Sequence, residues 1–217
     1  MVTDAPIPMR TDATILLAQW LSPAFPVGAF AYSSGLESAV AGGLTVDGLQ
    51  DWLADFLVHG TGRSDAILIR AAAETDNAAE VDEVARAFCA SRERLLETES
   101  IGRAFCLQLA NVWNLPVANL SYPVALGQGL RALDLPVDLA IQMYLHAYVS
   151  NMIAAAQRLM PLGHTNGQRI LTDLTPLCAE VAEETKGLGC DDITSQCFAA
   201  DIAAMQHEVL SPRIFRT

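Results

Sequence analysis

A chain of 217 residues that is 52% hydrophobic and 18% charged has room for one sizeable core and is not the composition of a disordered segment. A net charge of −12 at pH 7 repels phosphate backbones, which argues against nucleic acid as a partner. Five cysteines in no paired pattern fit a reducing cytoplasm, and the opening MVTDAPIPMRTD lacks the basic-then-apolar layout of a secretory leader.

Residues 1–11 read as flexible, and a first helix ends near Leu21. SPAFPVGAFAYSSGLE follows, Ser22 to Glu37, with two prolines and two glycines among Phe25, Val27, Phe30 and Tyr32. It reads as an irregular apolar connector that either plugs the core or faces a partner. Ser34 and Glu37 stand at the spacing of a capping box. In that motif the Ser34 hydroxyl accepts from the Glu37 N–H, and the Glu37 carboxylate reaches back to the Ser34 N–H. Leu49, Trp52, Leu53, Phe56 and Leu57 make one face of a helix that Thr45 caps and Gly60 ends.

GTGRSD, Gly60 to Asp65, reads as a link between helices. Val81, Val84, Ala85 and Phe88 repeat the helical spacing, with Asp76 or Asn77 as cap. The next helix spans about Arg94 to Trp113. Its opening, SRERLLETESIGRAF, alternates charge sign and reads as a solvated face. Gly102 inside it costs about 1 kcal/mol relative to Ala and points to close approach of another backbone. Pro123 and Pro136 suit first helical turns. Helices are expected from Val137 to Leu159, from Gln168 to Thr185 with a break near Pro176, and from Asp192 to Leu210. Pro212 must end that last helix, and a tail carrying Arg213, Ile214, Phe215 and Arg216 follows.

No segment alternates like a strand, and no uncharged stretch reads as a membrane span. A single all-α, multi-helix bundle with buried central helices is the expectation. A P-loop, a His-Glu-x-x-His and a Cys-x-x-Cys are all absent from the sequence, and its four histidines are never three or four residues apart. No nucleophile, base and oxyanion site assembles, which shifts weight from an enzyme toward a binding or scaffold protein.

Five stretches in chain order carry a resemblance: SPAFPVGAFAYSSGLE, SRERLLETESIGRAF, YPVALG (Tyr122–Gly127), RLMPLGHTNGQ (Arg158–Gln168) and HEVLSPRIFRT. Together they resemble the urease accessory protein UreF family, from about residue 14 to the last. The departures are Ala29 and Ala31 where that family commonly has glycine and serine, His164 where it often has Gln, and Ser211-Pro212 in place of a Tyr-Ser.

The resemblance implies an all-α, cytoplasmic, homodimeric scaffold with no catalytic residues and no cofactor or metal of its own. It implies a bridge between urease-bound UreD (also called UreH) and the GTPase UreG. That assembly, handling both nickel and GTP, would carry out GTP-dependent nickel insertion into apo-urease. The same match makes residues 212–217 a tail that docks on a partner. Arg213, Phe215 and Arg216 are expected to meet UreD, with His207 and Glu208 positioning the tail. Tyr32, Ser33 and Glu37 are expected to shape the connector, and Arg92, Glu93 and Arg103 to form a further partner surface. Two other readings remain: a regulator of UreG's GTP hydrolysis acting through an arginine, and a stand-alone all-α enzyme or ligand-binding protein.

Overall fold

The computed structural model describes residues 11–194 and 196–217, so the flexibility expected of residues 1–10 lies outside the described residues. Ten α-helices follow one another among the described residues, with no strand. They are α1 Thr11–Trp20, α2 Leu36–Ala41, α3 Leu49–His59, α4 Thr61–Glu74, α5 Ala78–Ala87, α6 Arg92–Trp113, α7 Tyr122–Ala132, α8 Val137–Leu159, α9 His164–Glu184 and α10 Phe198–His207. The all-α expectation is met. None of these helices is long and apolar enough to cross a membrane.

The central helix is α4, packed against α3, α5, α7, α8 and α9. It begins within the stretch expected to be a link. Ala66, Ile67, Leu68, Ile69 and Arg70 are buried one after another, so the middle of the helix has no solvated face. Arg70 is tolerated inside because it donates to Asp138 at 2.8 Å and to the Ala182 carbonyl at 3.0 Å.

The helix bearing Pro176 is α9, which runs through that proline instead of breaking. On the turn before the missing N–H, the Thr175 hydroxyl donates to the Leu171 carbonyl at 2.8 Å. The last helix starts later than expected, because Cys190–Asp192 forms a separate single turn in which Asp192 accepts from the Gly189 N–H at 2.9 Å.

Gly102 lies where α6 meets the segment leading into α7. A Cβ there would collide with the Leu120 carbonyl and the Ser121 backbone, which is the close approach the sequence pointed to. Phe25 answers half of the connector question. Its ring packs 5.7 Å from Phe105, itself edge-on to Trp20 at 5.3 Å, so this part of the connector plugs the core. Phe30, by contrast, is 72% exposed.

Candidate functional site

The start of α2 is a sharp turn. Ser34 and Gly35 are both left-handed, with φ of 49° and 84°. Gly35 is required there twice over, since any Cβ would also sit 2.7 Å from the Ala204 nitrogen of α10. This turn overturns the expected capping box. Ser33, not Ser34, offers its hydroxyl to the Glu37 N–H, at 3.4 Å. The Ser34 hydroxyl instead donates to Glu97 at 3.2 Å. Glu37 does not reach back along its own helix. Its two carboxylate oxygens accept the backbone N–H groups of Ile214 at 2.7 Å and Phe215 at 2.9 Å.

The C-terminal tail therefore docks on its own chain. The Arg216 N–H donates to the Ala31 carbonyl at 2.9 Å, and the Ser33 N–H donates to the Thr217 carbonyl at 2.9 Å. The Thr217 hydroxyl donates to Glu97 at 2.9 Å. Phe215 is only 3% exposed, and the Arg158 guanidinium lies over its ring, 4.3 Å from the centroid. Phe215, expected to meet a partner, is turned into this chain as the tail's anchor. Ile214 and Arg216 alternate with the buried Phe215 and Thr217 and stay on the outside, as does Arg213.

Behind the tail, His207 of α10 is sealed from solvent between two carboxylates. Its Nε2 lies 3.1 Å from Glu37 and its Nδ1 lies 2.7 Å from Glu93. Glu93 also pairs with Arg213. Glu208 accepts from the Arg92 N–H at 2.7 Å, so it caps the start of α6 beside the Ser91 hydroxyl, which accepts from the Arg94 N–H at 3.0 Å. Burial raises Glu37, but the two tail N–H donors together with His207 outweigh it and hold the carboxylate below its ordinary range.

Deeper still, Arg94 bridges Asp65 at 2.9 Å and Glu97 at 3.2 Å, and Tyr144 donates to Asp65 at 2.5 Å. Burial pushes both Asp65 and Glu97 above the usual carboxylate range despite Arg94. Burial also opposes charge on Arg94, yet the two carboxylates outweigh it and keep the guanidinium charged.

Of the sequence-derived residues, Tyr32, Ser33, Glu37, Glu93, His207, Glu208, Arg213, Phe215, Arg216 and the backbone of Arg92 come together around the tail. Arg103 does not. It is exposed on α6, eleven residues beyond Arg92, which is about 16 Å along a helix. Sequence reasoning missed Arg94, Glu97, Asp65, Tyr144 and Arg158. The run read as a solvated face has a buried side, because Glu97, Thr98, Ile101, Gly102 and Phe105 are inside. Their spacing of three and four residues was the available signal.

Also missed was the outward side of α10. Ala200, Ala203 and His207 face inward, while Phe198, Ile202 and Met205, spaced 4 and 3 residues apart, are exposed, as is Val209 in the turn just after the helix. No group of three or more His, Cys, Asp or Glu side chains is placed to hold a metal among the described residues. The cavity beneath the connector, lined by Phe25, Tyr32, Arg94, Glu97 and Tyr148, is about 60 Å³. That is room for waters and not for a metabolite.

The fold and this self-docked tail define a helical protein that presents a surface. Similarity then gives its class, that of a urease accessory protein. A urease accessory protein UreF from Roseobacter denitrificans is 46% identical over 213 residues, covering 96% of each chain. One from a Ruegeria species is 49% identical over 214 residues, covering 96% of this chain and all of its own. One from Ruegeria pomeroyi is 47% identical over 213 residues. The family model described as UreF matches residues 44–175. The chain belongs to the UreF family. It is thus an accessory to an enzyme, as the sequence led one to expect, and not the enzyme itself.

Proposed function

We propose that this chain is a cytoplasmic, homodimeric adaptor in urease maturation. It bridges urease-bound UreD (UreH) and the GTPase UreG, so that nickel enters apo-urease in a GTP-dependent step. Nickel and GTP are handled by the assembly and not by this chain alone. The observation that supports the bridging reading is the outward face of the tail. Arg213, Ile214 and Arg216 stand exposed on a backbone already fixed by Glu37, and Phe198, Ile202 and Met205 of α10 and Val209 just after it are exposed too. A basic and apolar patch on an otherwise acidic protein suits a partner with an apolar, acidic face. A preset tail also lowers the ordering cost of binding.

In this reading UreD takes the tail face. Arg103, with the exposed Leu96 and Leu107 on the outer side of α6, offers a second face for UreG. Contact there would let the chain modulate UreG's GTP hydrolysis. The test is co-expression with the accessory proteins of its own operon, purification through this chain, and mass measurement of the complex. Recovery of UreD and UreG together with a dimer of this chain is the expected result. Recovery of the chain alone under conditions that yield active urease overturns the bridging role.

A further inference from the structure

We propose that His207 is a protonation-operated latch on the C-terminal tail: with both ring nitrogens protonated it holds the tail against α2 and α6, and loss of one ring proton releases it.

His207 is wholly buried, and each ring nitrogen points at a carboxylate oxygen, Glu37 from α2 on one side and Glu93 from α6 on the other. A carboxylate accepts and does not donate, so both ring nitrogens must donate. Only the imidazolium does that. From the tail, Arg213 faces the cluster through Glu93. On α10 itself, the neighbouring Glu208 is occupied with the Arg92 N–H. The cluster then holds two negative charges, Glu37 and Glu93, against two positive ones, His207 and Arg213.

A neutral ring breaks this balance. One nitrogen would turn a lone pair toward a carboxylate, and a negative charge would be left without its partner in a site closed to water. Glu37 is the carboxylate that bears on function, because its two oxygens carry the Ile214 and Phe215 N–H groups. Displacing it unfastens two of the bonds that hold the tail, those nearest its Phe215 anchor.

The test uses the full-length chain labelled with ¹⁵N. At about pH 6 the ring signals of His207 should show a proton on both nitrogens. As pH rises toward about 9, protection of the Ile214 and Phe215 amides, corrected for intrinsic exchange, should fall about ten-fold per pH unit once the ring titrates. Amides of α8 should not follow. In Glu93→Gln the side-chain amide can donate to a neutral ring, so the tail should stay protected and the pH slope should shrink. In His207→Gln, protection should be lower and flat with pH. An unprotonated ring nitrogen at about pH 6, a wild-type tail indifferent to pH, or an unchanged slope in either variant overturns the latch. The ring measurement on the unaltered protein decides the matter even if a variant fails to fold.

Discussion

Replacing Glu37 by Gln is the most exacting perturbation of the tail groove. The side chain keeps its shape and one acceptor oxygen, but the other oxygen becomes an NH₂ group. In the native arrangement one oxygen takes the Ile214 N–H and the other takes both the Phe215 N–H and the His207 Nε2. Whichever way the amide turns, an N–H meets an N–H. At least one hydrogen bond to a charged acceptor is lost, worth about 1.5–3 kcal/mol, and the pairing with His207 weakens with it. A total near 3 kcal/mol raises the population of detached tail by roughly 100-fold. The cost to global stability is smaller, because the tail can leave while the helices of the core stay packed. Amide exchange measured residue by residue separates the two. Protection at Ile214 and Phe215 should fall about 100-fold, while that of α4 and α8 changes little. Unchanged tail protection in Glu37→Gln would refute the assignment of Glu37 as the tail's anchor point.

Other outcomes follow from the same geometry. Phe215→Ala removes the buried ring beneath Arg158 and should cost about 3 kcal/mol of tail attachment, read as greater protease cleavage beyond α10 with an unchanged far-ultraviolet dichroism spectrum. Gly102→Ala pushes a methyl group into the Leu120–Ser121 backbone and should destabilise by about 1–3 kcal/mol in denaturant unfolding, whereas Ala at the open Gly163 should not. In acid, Glu37 and the deeper carboxylates act in opposite senses. Glu37 is held low, so its contribution is present above its unfolded value and is lost as pH falls through the folded one. Asp65 and Glu97 are held high, so their contribution is present in acid and is lost as pH rises. Acidification below about pH 4 should therefore free the tail before the helical core melts, and simultaneous loss of both signals would contradict this. Arg103→Glu should change UreG's GTP hydrolysis in the assembled complex while leaving UreD binding intact, and an unchanged rate would remove Arg103 from that face.

The Leu49–Leu57 stripe of α3 could be read from the sequence because its other side faces water. Helix α4 was not read, since its glycine-containing first turn reads as a link and the five consecutive residues Ala66 to Arg70 are all buried, leaving its middle no exposed face. The residues of the tail groove could be picked out by resemblance, but not their pairing. Local reasoning gave Glu37 to its own helix, whereas a left-handed Ser34 and Gly35 turn the carboxylate toward residues 177 and 178 positions away. No local rule contains that contact. Nor does local charge pattern show that Glu97 belongs inside; its place between Ser34, Arg94 and Thr217 is set by three separate segments.

The central claim is that the outward face of the tail is a docking surface. Ile214 and Arg216 are the residues with which to test it, because their side chains are exposed while their backbone holds the tail in place. The measurement is the affinity of purified UreD for the double variant Ile214→Asp, Arg216→Glu, alongside its melting temperature and tail amide protection. A loss of about 100-fold or more in affinity, with both controls unchanged, is the expected result. Wild-type affinity in a variant whose tail is still docked would contradict the account.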